Sequence, residues 1–144
     1  MDTTVVQPGA ADSFAMPATR AVPVAGAADT SGAWEAIELT VEPGGRSPLH
    51  TLSTDKVFYV AEGTMTYDLD GAAETVAAGG FVRVPAGVPH CYRNVSGLPV
   101  RQLVLTTGAT QLQFLQGMGA LAASGAPDRD RVAAHAARYG VRLL

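Results

Sequence analysis

Between residues 34 and 106 turn residues recur about every 8 to 12 positions, and this rhythm restricts the fold more than any other feature of the chain. Ile37, Leu39 and Val41 alternate with Glu38, Thr40 and Glu42, the period of a half-buried strand, and Pro43-Gly44-Gly45 ends it. Residues 57–61 form a short, continuous apolar run rich in β-branched and aromatic side chains, which fits a buried strand closed by Gly63. Met65, Tyr67 and Leu69 then alternate with Thr66, Asp68 and Asp70, and Asp70-Gly71 is a hairpin signal. Strands over 75–77, 81–84, 90–95 and 100–106 complete the series. Many short strands with regular punctuation predict an all-β sandwich or barrel over residues 33–108.

The flanks follow other rules. Residues 1–32 are rich in Ala, Gly and Pro and read as an irregular arm carrying one or two edge strands. Residues 109–144 switch to a helical period and read as a C-terminal helical extension of the same domain. Leu112, Leu115, Met118 and Ala122 fall on one face of a first helix. Asp128, placed after Pro127, is a good N-cap for a second helix ending at Tyr139, with Val132, Ala136 and Tyr139 on its apolar side. Arg138 suits the last turn of that helix, and Gly140 suits the position after it. His135, away from any motif, reads as a surface residue.

Composition narrows the classes of function. A chain of 144 residues with 47% hydrophobic content supports one compact core. A net charge of -3 with no basic patch argues against nucleic acid as a partner. Cys91 is the only cysteine, so no internal disulfide forms and a reducing, cytoplasmic setting is expected. The opening Met1-Asp2-Thr3-Thr4 lacks the features of a secretory signal, and no apolar run is long enough to span a membrane.

Two segments carry chemistry. Gly79, Pro85, Gly87, His90 and Asn94 fit the pattern G-x5-P-x-G-x2-H-x3-N at every spacing, with Pro85 and Gly87 making a tight turn that feeds His90 into a strand. Gly44, His50 and Gly63 fit a second pattern, G-x5-H-x-H-x3-4-E-x6-G, in which Leu52 stands at the second histidine position and Lys56 at the glutamate position. On these motifs the chain resembles the cupin superfamily, and in particular small bacterial single-domain cupins of the quercetinase-like type. The stretches TSGAWEAIELTVEPGG, FYVAEGTMTYDLDG and AARYGVRLL share that likeness. The resemblance implies a jelly-roll (double-stranded β-helix) barrel with C-terminal α-helices, and commonly a homodimer.

The resemblance also implies a metal site, which in this family is three histidines and a carboxylate. The aligned positions here are His50, Leu52, Lys56 and His90. Leucine offers no lone pair, and a charged lysine repels a dication. No cofactor is therefore expected; if a divalent transition metal binds, His50 and His90 are its ligands.

Strand alternation places Leu52 on the face of His50, groups His90, Tyr92 and Asn94 on one side, and Met65, Tyr67 and Leu69 on another; the resemblance implies that Lys56 also points inward, and Phe58 and Val60 continue its face. The expected pocket has His50, Lys56 and His90 as its chemical groups and Leu52, Phe58, Met65, Tyr67 and Tyr92 as substrate contacts. Lys56 has two readings: a side chain that reaches to water from the barrel mouth, or a desolvated amine with a lowered pKa. Cys91 reads as structural, and Asn94 as a holder of backbone.

Three functions fit. The first is a metal-independent acid–base enzyme that isomerises, cyclises or dehydrates an apolar oxygenated molecule, aromatic or polyketide-like, in secondary metabolism. The second is a metal-dependent, quercetinase-like dioxygenase that draws a further ligand from Tyr67 or Asp55. The third is a ligand-binding cupin without turnover.

Overall fold

The computed structural model describes residues 3–125 and 127–144. Two antiparallel sheets face each other. The first contains β1 (Phe14–Met16), β2 (Thr19–Ala25), β3 (Trp34–Val41), β10 (Val100–Thr107), β5 (Lys56–Glu62) and β8 (Phe81–Val84), in that spatial order. The second runs β11 (Val141–Leu143), β4 (His50–Leu52), β9 (His90–Arg93), β6 (Thr64–Leu69) and β7 (Ala72–Ala77). From β3 to β6 the chain alternates between the sheets, so β4 and β5, separated by three residues, end up on opposite walls. The strand rhythm predicted a sandwich or barrel, and the resemblance implied the jelly-roll form that the two sheets adopt.

The period-2 pattern sets the core. Ile37, Leu39 and Val41 of β3, Phe58 and Val60 of β5, and Val100 and Val104 of β10 are all buried between the sheets. They meet Met65, Tyr67 and Tyr92 from the other wall. The one-residue offsets face outward: Tyr59 pairs with Phe81 across β5 and β8, and both are exposed. The arm supplies two strands as expected, although only β1 lies at the sheet edge, because β2 is paired on both sides.

The C-terminal segment departs from the all-helical reading. It contains α1 (Gln111–Ala123) and α2 (Arg129–Ala137), and then β11, which pairs with β4. Asp128 caps α2 as predicted, accepting a hydrogen bond from the Arg131 amide at 2.8 Å. The helix stops at Ala137, two residues short of Tyr139. Gly140, with φ of +73°, turns the chain into β11, and a side chain there would collide with Ser53. The expected face of α1 packs inward, Leu112 and Leu115 against the barrel core and Met118 against a second cluster around Phe114 and Ala136, and the most buried positions of the helix flank it. Gln111, Phe114 and Gly119 are its buried residues, while Leu112, Leu115, Met118 and Ala122 are half-buried, because the helix packs against both β1 and α2. His135 is not a surface residue: it is half-buried, stacks on Phe114 with ring centroids 5.8 Å apart, and bonds the Phe114 carbonyl from Nε2 at 3.0 Å. Among the described residues no helix is long and apolar enough to cross a membrane.

Candidate active site

The turn before β9 positions the first histidine. Gly87, at φ of +82°, adopts a conformation that a side chain would strain, and its amide donates to the Leu52 carbonyl at 2.8 Å. This fastens the turn to the end of β4. His50 and His90 then become register partners across β4 and β9, with ring centroids 4.3 Å apart. Asn94 anchors the far end of the same segment. Its Nδ2 donates to the carbonyls of Val41 (3.0 Å) and Leu98 (2.7 Å), and its Oδ1 accepts from the Ser96 amide at 3.0 Å. The backbone-holding role read for Asn94 is what the structure shows.

Both imidazoles are held in one tautomer. Nδ1 of His50 lies 2.6 Å from the Pro48 carbonyl, and Nδ1 of His90 lies 2.9 Å from the Val88 carbonyl. A carbonyl only accepts, so each Nδ1 carries the hydrogen and each Nε2 keeps its lone pair. Both lone pairs face Lys56, whose Nζ enters from the opposite sheet to 3.4 Å from His50 Nε2 and 3.3 Å from His90 Nε2. The Phe58 ring lies below the amine, 4.9 Å from Nζ to centroid.

Burial governs the electrostatics. Lys56 is 3% exposed, so the reading in which its amine reaches water is set aside. Desolvation pushes its pKa down to about 7. Desolvation first, and the Lys56 charge second, lower His50 to about 2 and His90 to about 4. Near neutrality the imidazoles are thus uncharged acceptors, and the amine is the one member of the triad that exchanges a proton.

Two members of the triad, Lys56 and His50, line a cavity of about 140 Å³; His90 touches Lys56 but is not part of the lining. Leu39, Phe58, Tyr92 and Val104 form the barrel wall, and Met16, Phe114, Leu115 and Met118 roof it from the arm and α1. Arg46, Ser47 and Gln111 are its other polar lining residues, together with Thr19. Of the expected substrate contacts, Phe58 and Tyr92 line the cavity. Leu52 does not, because it packs under the helices against Phe114, Ala136 and Val141. Met65 and Tyr67 are fully buried core residues outside the lining, and the Tyr67 hydroxyl donates to Gln102 Oε1 at 2.6 Å. Burial raises the Tyr67 pKa further above the ordinary phenol range.

Sequence reasoning marked the apolar face of α1 through Leu115 and Met118 but did not place it, or the 44–47 segment, at the cavity, since a helical period does not say what the helix packs on. Lys56, which sequence reasoning did find, is the only lysine in the chain, the other nine cationic residues being arginines.

The metal set implied by the resemblance does not fit these residues. Lys56 Nζ faces both Nε2 lone pairs, in the place an ion would take. Among the described residues no cluster of three or more His, Cys, Asp or Glu side chains converges. Asp55 is directed away and is held by Arg83 at 3.1 Å and the Ala86 amide at 3.0 Å, and Tyr67 is engaged by Gln102. Cys91 also lies off the cavity, donating to Asp68 at 3.3 Å.

Comparison with known proteins agrees with the fold. Residues 37–106 match the family described as Cupin domain. The polyketide cyclase RemF from Streptomyces resistomycificus is 24% identical, with a TM-score of 0.64 over 74% of this chain and 80% of that one. KdgF from Halomonas sp. is 15% identical, with a TM-score of 0.66 over 78% of this chain and 98% of that one. A sugar phosphate isomerase of the cupin superfamily from Silicibacter pomeroyi is 21% identical, with a TM-score of 0.58 over 66% of this chain and 62% of that one. No curated protein matches at the level of sequence. The barrel topology, the two motif segments and the family match together make this chain a member of the cupin superfamily.

Proposed function

We propose that the protein is a metal-independent acid–base enzyme in which Lys56 takes a proton from, and returns it to, a carbonyl-bearing apolar substrate held in the barrel. The carrying observation is the position of Lys56 Nζ against two Nε2 lone pairs at the cavity wall. A neutral amine has two hydrogens, and the two imidazoles accept both. One valence is left for the cavity: a lone pair when the amine is neutral, a third N–H when it is charged. His50 and His90 are then orienting acceptors, and His50 also contacts substrate.

Proton transfer of this kind serves isomerisation, cyclisation and dehydration alike, and each proceeds without net oxidation. A pKa near the working pH maximises both uptake and return. The apolar walls exclude water that would compete for the proton. The likeness to the polyketide cyclase RemF supports an oxygenated, ring-forming substrate from secondary metabolism. We extend the reading to a cytoplasmic homodimer, which suits the lone Cys91 and the exposed Tyr59–Phe81 pair.

Exchange of α-hydrogens for deuterium in cyclic 1,3-diketones, followed by NMR in D2O, tests the chemistry. Wild type is expected to accelerate exchange, and Lys56→Met to lose about 10²- to 10⁴-fold of that rate. Equal exchange in the two proteins overturns the reading. Ligand binding that persists in both with no exchange in either favours the non-enzymatic alternative.

A further inference from the structure

Of the polar residues that line the cavity beside Lys56, all but one are committed elsewhere. His50 is held between the Pro48 carbonyl at 2.6 Å and the Lys56 amine at 3.4 Å. Ser47 Oγ accepts the Tyr92 amide at 3.0 Å, and the Tyr92 hydroxyl is engaged by Thr19. Arg46 is the register partner of Arg93, which sets its side chain on the outer face of that sheet with Arg93 and Cys91. The exception is Gln111. Its side chain is withdrawn to 4% exposure. Among the described residues nothing bonds its carboxamide, yet neither polar atom is sealed off as Gln102 Nε2 and Thr106 Oγ1 are. The open space it reaches is the cavity.

Helix geometry aims this amide. Gln111, Phe114, Leu115 and Met118 all line the cavity, and they stand at i, i+3, i+4 and i+7 of α1, a single helical stripe. The other three are apolar. The start of α1 is fastened to the sheet in the row that carries Lys56: Lys56 pairs with Thr106, Thr106 pairs with Glu35, and Glu35 Oε1 accepts the Leu112 amide at 3.0 Å. The N-cap Thr110 makes no side-chain bond of its own, so the buried Glu35 carboxylate caps the helix in its place. Gln111 is thus held next to a fixed amide. It enters the cavity from the roof as Lys56 enters from the wall.

We infer that Gln111 is a specificity-determining residue, and that the substrate is an uncharged single-ring compound whose ring hydroxyl bonds the Gln111 carboxamide while its carbonyl meets Lys56. The cavity of about 140 Å³ is close to the roughly 150 Å³ that accommodates one benzene ring, so the enclosed part takes one ring and not a fused system. A ligand that leaves a buried amide unpaired forfeits binding energy, so the site selects against a purely apolar ring. Oε1 only accepts and Nε2 only donates; a hydroxyl does both, and pairs with whichever atom lies nearer. A carboxylate only accepts, which would leave Oε1 unpaired beside a negative charge. An ammonium would find no Asp or Glu in the lining. This assignment rests on the reading of the Lys56 cavity as the substrate site and deepens it by naming what is recognised.

NMR titration of phenol and toluene, two rings of matched size, tests it in wild type, Gln111→Met and Lys56→Met. The readout is the ratio of the two dissociation constants, which cancels changes common to both ligands. In Gln111→Met the ratio should move about tenfold against phenol, the worth of one buried hydrogen bond. Toluene affinity should hold or tighten, which also reports an intact cavity. Gln111→Asn keeps the amide but draws it back by one methylene; it should move the ratio the same way and carries the test if Gln111→Met does not fold. Four results overturn the assignment. The first is no saturable binding of either ring to wild type. The second is an unchanged ratio in both Gln111 variants. The third is a ratio that collapses in Lys56→Met and survives in Gln111→Met, which puts the hydroxyl on the amine. The fourth is Gln111-dependent binding of benzamide that is tighter than that of phenol, which assigns an amide-bearing ligand. The deuterium-exchange comparison of wild type with Lys56→Met is read separately, so failure of hydroxyl recognition and failure of the acid–base reading are distinguishable.

Discussion

Lys56 and His90 meet across the barrel, Nζ to Nε2 at 3.3 Å, although they belong to opposite sheets and lie 34 residues apart. Only the closed barrel makes this contact, and it converts a sequence substitution into a buried amine–imidazole triad. A lysine placed at the same position of an open sheet would stay hydrated and charged. Here the wall of β4 and β9 supplies two acceptors, and the apolar interior supplies the desolvation.

Stability should depend on pH through this triad with a definite sign. The folded pKa of Lys56 is depressed from 10.5 to about 7, so between these values the unfolded chain holds a proton that the folded chain lacks. Stability therefore rises with pH across that window, and the destabilising effect of the buried amine is fully present below pH 7. Lys56→Met removes it. The variant should melt several degrees above wild type at pH 6, by a few kcal/mol at about 2–4 °C each, and the difference should shrink toward pH 10. Calorimetric melting curves at pH 6, 8 and 10 check this; a variant that is less stable at every pH contradicts the assigned burial cost.

The histidines act in a lower window with the same sign. Both are depressed from 6.5, His90 to about 4 and His50 to about 2, so unfolding takes up protons below pH 6.5. Wild type should lose stability progressively from pH 6.5 down through pH 4. Substituting His90 by Gln removes one of the two titrating rings, and denaturant titrations should show a shallower fall over pH 4–6.5. An unchanged slope would mean that the ring is already charged in the fold.

Because the chain has one lysine, its titration is directly visible. In protein labelled with ¹³C-lysine, the single Cε resonance should move with a midpoint near pH 7, where the amine is half-protonated. A midpoint near 10.5 would return Lys56 to an ordinary solvated amine and remove the basis for proton exchange at neutral pH.

Much of this was legible in the sequence because the informative residues obey local rules. The spacing from Gly79 to Asn94 encodes a turn and a strand start, and the alternation through Ile37, Leu39 and Val41 names the inward face without knowledge of the partner strand. His50 and Lys56 were found because their motif positions carry over. The failures share a physical cause. Leu52 is on the expected side of β4, yet α1 and α2 cover that spot, and the packing of helices on a barrel end leaves no periodic mark on β4. Tyr67 looked like a pocket phenol because side-chain alternation cannot distinguish a cavity wall from packed core; its hydroxyl is committed to Gln102. β11 was hidden by its length of three residues, too short to register as a strand until β4 offers it a partner.

The structural role of Tyr67 gives a further test. Tyr67→Phe leaves Gln102 Oε1 buried without its donor, in a side chain whose Nε2 already lacks a partner. The cost should be about 1–3 kcal/mol in urea unfolding, with ligand affinity and deuterium exchange unchanged. Loss of exchange at unchanged stability would move Tyr67 from the core into the chemistry.

The metal question reduces to one side chain. With Lys56 in place, a dication between the Nε2 atoms meets an amine that must first lose its proton and then share the space, so purified wild type should carry well under one equivalent of transition metal by elemental analysis, and EDTA should not change its deuterium-exchange rate. Lys56→Glu alters this with a single substitution. The shorter carboxylate vacates the position of Nζ and adds an anionic oxygen to the two lone pairs, giving the two-histidine, one-carboxylate donor set that binds divalent iron and similar ions. The variant should bind close to one equivalent of Ni²⁺ or Fe²⁺, be stabilised by it in thermal melts, and lose the lysine-dependent exchange. Stoichiometric metal in wild type, removable by chelator together with activity, would replace the proton-transfer reading with a Lewis-acid one. A Lys56→Glu variant that takes up no metal would show that the imidazole pair is not oriented for coordination, and that the two rings serve the amine alone.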